Sequence, residues 1–200
     1  AGGGAVFIDN IAAWTGASWE ALGPVGMNTA VYALAVYNNE LYAGGFFTAA
    51  DFATVSYVAR WNGAAWQTAA GGLSAKIWAL TVYDNKLIAG GEFTSAPGTI
   101  ATPASYIAQW DGISWQPLGP GVNSYVYSLT AIHSHLIAGG AFYYAGGNYT
   151  NYVARWDGRV WQAMGSGIGD YVYALMPFGS RVIAGGRFSL AGEDAAIYIA

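Results

Sequence analysis

Tyrosine is the residue type here whose spacing could recognise a ligand. The stretch Phe142-Tyr143-Tyr144-Ala145-Gly146-Gly147-Asn148-Tyr149-Thr150-Asn151 carries no charged side chain. A phenol offers an apolar face and a polar tip, so exposed tyrosines can stack on a sugar face or anchor a protein partner. Tyr143, Tyr144, Asn148 and Tyr149 are therefore candidate binding residues, and Asn123, Tyr125, Asp170 and Tyr171 join them from a second set of loops. The competing reading is ordinary loop packing. Asn148-Tyr149-Thr150 also fits a glycosylation sequon, which matters only in a eukaryotic secretory context.

Catalytic constellations are not indicated. His133 and His135 sit in one turn, with no third metal ligand indicated and no carboxylate placed to hold either for serine chemistry. The eleven Asp and Glu residues are scattered, and no pair is favoured for glycoside hydrolysis. No Asp-x-Asp-x-Asp-Gly calcium loop occurs. The Ala-Gly-Gly runs lie inside a strand pattern and do not lead into a helix, so they are no phosphate loop. With no Cys there is no thiolate, no disulfide and no Cys-based zinc site. The expectation is a non-enzyme with no cofactor and no metal.

Composition narrows the class further. The 200 residues are 54% hydrophobic and only 9% charged, against roughly 25% charged in an ordinary soluble domain. That length suits a single domain with a sizeable core. Abundant aromatics exclude a disordered chain. A net charge of −4 with seven basic residues excludes a nucleic-acid binder, which needs a basic stripe against phosphates. No apolar run approaches the length of a membrane span. Little Lys and Glu beside much Gly, Ser, Thr, Tyr and Trp points to an extracellular or cell-surface protein.

An internal repeat organises the whole chain. Trp-x-Gly-x-x-Trp occurs at Trp14–Trp19, Trp61–Trp66, Trp110–Trp115 and Trp156–Trp161. Tyr57, Tyr106 and Tyr152 open a Tyr-(Val/Ile)-Ala-x block before three of these. Ala-Gly-Gly recurs at Ala43, Ala89, Ala138 and Ala184, and a VYAL-like block begins at Val31, Ile77, Val126 and Val172. Within one unit, Val31–Tyr37 and Glu40–Phe47 read as strands a and b about the turn Asn38-Asn39. Tyr57–Trp61 and Ala65–Thr68 read as strands c and d about Asn62-Gly63. The b–c loop is the variable one, at Thr48–Ser56, Thr94–Ser105, Tyr143–Asn151 and Ser189–Ala196.

The strands are apolar at nearly every position, so they must be covered on both faces. Four-stranded antiparallel blades stacked face to face supply that cover, which predicts an all-β, β-propeller fold. The rival, a stacked β-solenoid, requires parallel strands. The eight repeat tryptophans are expected in the core, between blades. Arg60 and Arg155, just before Trp, are expected to be structural partners or cation–π neighbours.

The repeat resembles the kelch-like propeller repeats of large secreted bacterial proteins. Ile107–Trp115, Leu118-Gly119, Val126–Leu129 and Leu136–Phe142 carry the resemblance. Similar repeats resemble the ectodomain of a fungal cell-polarity marker. The resemblance spans the chain and implies a fold, not a function. The copper chemistry known on one kelch propeller needs a Cys–Tyr crosslink, which a chain without Cys cannot make.

The expected layout is a single propeller segment over 1–200. Residues 1–23 form a partial blade with strands b to d, 24–171 form three complete blades, and 172–200 form a partial blade with strands a to c. Both ends then carry b and c, so the chain reads as a window on a longer array. Closure of one common blade by residues 1–10 and 190–200 would refute that. The b–c and d–a loops share one end of the blades, where binding is expected. The function expected is a non-catalytic extracellular binding or scaffold module for a protein or glycan partner. The alternatives are a structural segment of a surface assembly, with self-association through the open end blades, and a non-catalytic part of a secreted enzyme.

Overall fold

The computed structural model describes residues 10–96, 102–196 and 199. Among these the chain is all-β, with no helix. Three four-stranded antiparallel sheets follow one another, each ordered a-b-c-d. The first comprises Val31–Tyr37, Glu40–Gly45, Val58–Trp61 and Trp66–Thr68. The second comprises Ile77–Tyr83, Lys86–Gly91, Ile107–Trp110 and Trp115–Pro117. The third comprises Val126–Ile132, His135–Gly140, Val153–Trp156 and Trp161–Ala163. Antiparallel pairing throughout rules out the solenoid.

The ends hold half-sheets. Ala12–Trp14 pairs with Trp19–Ala21 as a c–d hairpin, and Val172–Phe178 pairs with Arg181–Gly186 as an a–b hairpin. Strand b, expected before residue 10, falls outside the described residues. At the other end Ile199 bridges Gly185, in the place strand c takes elsewhere.

The turns follow from residue type. Asn38, Asn39, Asp84, Asn85, His133 and Gly179 take positive φ at the a–b turns, as a two-residue hairpin of this hand requires. The Trp-x-Gly-x-x-Trp turn is longer than its Asn-Gly signal implies. Trp61 pairs with Trp66 across four intervening residues. Asn62 Oδ1 accepts from the Ala64 and Ala65 amides, both at 3.0 Å, and Asp111 and Asp157 do the same in the later copies.

Ala-Gly-Gly fixes how closely the sheets stack. A Cβ on Gly44, Gly90 or Gly139 would lie 2.6, 2.5 or 2.5 Å from Ile77 Cγ2, Val126 Cγ1 or Val172 Cγ1 of the next unit. The second glycine admits a carbonyl. A Cβ on Gly140 would stand 2.0 Å from the Tyr125 oxygen, which accepts from the Ala141 amide at 2.9 Å. At this step strand a bulges by one residue in all four copies, at Tyr32, Trp78, Tyr127 and Tyr173.

Tryptophans stitch the sheets together. Trp66, Trp115 and Trp161 donate Nε1–H to the carbonyls of Leu22, Ala69 and Leu118 in the preceding unit. These three are buried, as are Trp110 and Trp156, and Trp61 is half-buried. Trp14 and Trp19 correct the expectation of eight core tryptophans, being 55% and 65% exposed. They lie on the c–d hairpin, which has no preceding unit to pack on among the described residues.

Candidate functional site

The d–a and b–c loops meet at one end because side chains latch them. Asn28 Oδ1 accepts from the Thr48 and Ala49 amides at 2.9 and 3.1 Å. Ser74 Oγ accepts from Thr94 and Ser95, both at 3.1 Å. Asn123 Oδ1 accepts from Tyr143 and Tyr144, both at 2.9 Å. Beyond each latch the b–c loop folds into a short hairpin, Ala49–Ala50 with Ala53–Thr54, Ser95–Ala96 with Thr102–Pro103, and Tyr144–Ala145 with Asn148–Tyr149. A fourth, Leu190–Ala191 with Asp194–Ala195, follows the last a–b hairpin.

Beside these latches runs a row of aromatic rings. The bulge residue of each a strand supplies it. Tyr32 stacks on Trp78 at 4.3 Å between centroids, Trp78 meets Tyr127 at 6.1 Å, and Tyr127 meets Tyr173 at 5.4 Å. A bulge re-aims a side chain that would otherwise follow the strand's alternation. The residue before strand a widens the row. Tyr125 and Tyr171 each meet Tyr127 at 6.3 Å, and Tyr171 meets Tyr173 at 6.3 Å.

A third set arrives from the residue before strand c. Tyr57, Tyr106 and Tyr152 have φ of 64°, 64° and 68°, a conformation that bulky side chains rarely adopt. Their rings reach the same surface. Tyr57 stacks on Phe46, Tyr106 meets Tyr125, and Tyr152 meets Tyr171 at 5.7 Å. Tyr152 and Tyr143 share a hydrogen bond through their hydroxyls.

Charges sit at the margins. Arg187 lies over the Tyr171 ring at 4.5 Å and donates to Asp170, Nε to Oδ2 at 3.0 Å. Lys76 lies 4.8 Å from the Phe46 ring and 3.7 Å from Glu92, whose other oxygen accepts from Trp78 Nε1 at 3.1 Å. Arg187 holds the Asp170 carboxyl below the usual range. Burial, then the neighbouring phenols Tyr173 and Tyr171, push the Tyr127 hydroxyl up. Burial and the bond to Tyr143 push Tyr152 far up. Both shifts keep the Tyr127 and Tyr152 hydroxyls protonated at physiological pH.

The eight residues named from sequence separate into groups. Tyr125, Tyr171 and Tyr143 belong to the connected rings, with Asp170 at their edge. Asn123 is a latch. Asn148 Nδ2 donates to the Trp161 carbonyl at 3.1 Å, tying its hairpin to strand d. Tyr144 and Tyr149 form a pair of their own at 5.5 Å, both exposed. Sequence reasoning missed Tyr32, Trp78, Tyr127, Tyr173, Tyr152 and Arg187. The signal was present, since the second position of every VYAL-like block is aromatic.

The opposite end differs. A cavity of about 440 Å³ lies between hairpins, lined by Tyr83, Asp84, His133 and Asp157, and Tyr83 donates to the Ser134 carbonyl at 2.9 Å. Among the described residues no three His, Asp or Glu side chains gather as metal ligands.

No family model and no curated protein matches the chain. Two solved structures of designed proteins are similar to it. The computationally designed Ika4 protein is 17% identical, with a TM-score of 0.52 over 87% of this chain and 92% of that one. The computationally designed Ika8 protein is 17% identical, with a TM-score of 0.35 over 87% of this chain and 71% of that one. The likeness to Ika4 is one of fold: an all-β chain of repeated antiparallel sheets.

Proposed function

We propose that this chain is a non-catalytic, kelch-like β-propeller segment of an extracellular or cell-surface protein, and that its aromatic row binds carbohydrate. The observation that carries the reading is the connected set Tyr125, Tyr127, Tyr171 and Tyr173, with ring centroids 5.4 to 6.3 Å apart. Spacing of that order lets neighbouring rings share one extended ligand. Phenol faces stack on the apolar face of a pyranose, and their hydroxyls meet its equatorial groups. Arg187 and Asp170 add a donor and an acceptor at the margin. Repeated bulges and three tyrosines in a strained backbone favour a functional surface over incidental packing.

The test is titration of the chain with a panel of soluble oligosaccharides, followed by calorimetry. Tyr127→Ala and Tyr171→Ala are each expected to weaken binding about fivefold or more, at roughly 1–3 kcal/mol per stacked ring, as for bases on aromatic platforms. Ile113→Ala, at an exposed turn, is expected to leave it unchanged. Glycan binding indifferent to both tyrosine variants, or capture of a protein with no glycan bound, overturns the reading.

A further inference from the structure

The first unit departs from the third where the b–c hairpin packs on strand d. In the third unit Asn148 ties the hairpin to the Trp161 carbonyl at 3.1 Å, and a Cβ on Gly146 would lie 3.2 Å from the Trp161 Cβ. The hairpin there is closed on its strand. In the first unit Ala53 stands in the place of Asn148, and Asp51 and Phe52 stand in the places of Gly146 and Gly147. The c–d turn carries Ala64 and Ala65 where the second unit has Ile113 and Ser114 and the third has Arg159 and Val160. Three alanines thus hollow the junction. An open cavity of about 400 Å³ lies there, lined also by Pro24, Phe52 and Trp66. That size falls in the range of small-ligand pockets.

One charge borders this apolar space. Asp51 lines it, and its Oδ1 already accepts from the Val25 and Gly26 amides at 3.1 and 2.9 Å. Oδ2 is buried and, among the described residues, has no hydrogen-bond partner. The ion pairs among those residues take Glu40, Glu92 and Asp170, and none takes Asp51. A carboxylate oxygen buried without a partner is costly, and a cation held nearby offsets that cost. Asp51 therefore offers the cavity a charge, with one oxygen occupied and the other closed off.

We propose that this cavity binds a trimethylammonium group of choline type. An ordinary ammonium or guanidinium brings N–H donors that must be satisfied when it leaves water. Trp66 spends its own Nε1–H on the Leu22 carbonyl, and the other lining side chains beside Asp51 are Pro, Phe and Ala, which accept nothing. A quaternary ammonium has no N–H to satisfy. It presents methyl groups to apolar walls and is attracted both to an anion and to an aromatic face. Phe52, exposed at the hairpin tip, supplies the ring. The cavity shares no residue with the aromatic row, so the proposal stands apart from the carbohydrate reading.

The test is a titration of the isotope-labelled chain with choline, followed by its amide shifts in NMR. Saturable shifts are expected at Phe52, Ala64 and Ala65 and not at Tyr127. The uncharged carbon isostere of choline and ethanolamine are each expected to bind about fivefold more weakly or worse. Asp51→Asn removes the charge and keeps an acceptor for the Val25 and Gly26 amides, and Phe52→Ala removes the ring. Each variant is expected to weaken choline binding about fivefold or more. Ala53→Asn installs the third unit's tie and is expected to abolish binding with the thermal midpoint unchanged or raised, which separates a filled pocket from an unfolded chain. Phosphocholine is titrated in parallel: binding of both marks an esterified headgroup, binding of choline alone marks a free ligand, and either supports the proposal. No saturable binding of choline by the folded chain overturns it, as does equal binding of the uncharged isostere or shifts confined to the tyrosine row.

Discussion

A Cβ placed on Gly90 would stand 2.5 Å from Val126 Cγ1, in the neighbouring sheet. The sheets are therefore held at a separation set by a missing methyl group. Gly90→Ala forces either Val126 or strand a to move, and overpacking of this kind costs about 1–3 kcal/mol. The expected result is a lower midpoint in denaturant with the slope unchanged. Gly90→Ala with Val126→Ala is expected to recover part of the loss, since it opens space where the clash falls.

Tyr152 inverts the usual ranking of glycine and alanine. At φ of 68° a side chain is strained and glycine is not. Tyr152→Gly and Tyr152→Ala both lose the ring, but the glycine variant is expected to be the more stable by about 1 kcal/mol. Equal stability would show that no strain is stored there.

The loop latch is a matter of one acceptor atom. Asn123→Ala leaves the Tyr143 and Tyr144 amides without their partner, while Asn123→Ser places there the hydroxyl that Ser74 uses in the preceding unit. The alanine variant is expected to speed hydrogen exchange at both amides and to lose roughly 0.5–1.5 kcal/mol. The serine variant is expected to restore much of the protection.

Acid and alkali act on different groups. Backbone amides donated to Asp111 and Asp157, and Arg187 donated to Asp170, hold all three carboxyls below their ordinary values. Stability from a lowered carboxyl is present above its unfolded value and is lost as pH falls through the folded one. The unfolding midpoint is therefore expected to fall below about pH 4. Asp111→Asn with Asp157→Asn is expected to flatten that limb, because Asn62 makes the same turn without a charge. Tyr127 and Tyr152 are raised, so their contribution is complete below about pH 10 and is lost as pH rises through their folded values. Phenolate absorbance should appear later than in the unfolded chain.

Strand order, turn positions and the division of loops between two ends were legible because each rests on local chemistry. Asn38-Asn39 and Asp84-Asn85 announce their turns. The aromatic row was legible only as a recurring aromatic at the second position of each VYAL-like block, not as a surface. Tyr127 lies in a run of apolar residues, and only the bulge opposite Gly139-Gly140 turns it toward Tyr171 and Tyr173. A bulge is a property of paired strands, and no single strand declares it. Asn123 and Asn148 look like ligand contacts because they are polar and lie in loops. Their partners, the Tyr143 amide and the Trp161 carbonyl, are fixed by folding at a distance. Trp14 and Trp19 carry the same motif as Trp61 and Trp66 and differ in having no preceding unit among the described residues to cover them.

The latches separate what holds a loop from what the loop displays. Asn28, Ser74 and Asn123 grip backbone amides at the loop base, and the Met27–Ala50 and Val122–Ala145 bridges add only main-chain contacts. In the first unit one tip residue joins the anchorage, since Asp51 Oδ1 accepts from the Val25 and Gly26 amides at 3.1 and 2.9 Å. Its neighbour Phe52 is 86% exposed and holds nothing. The Gly146-Gly147 tip of the third unit has no side chain to contribute. Such tips can change in sequence and length while the grip at the base stays constant. Each repeat is in effect a socket of fixed fitting, and diversity can accumulate in what is plugged into it without renegotiating the frame.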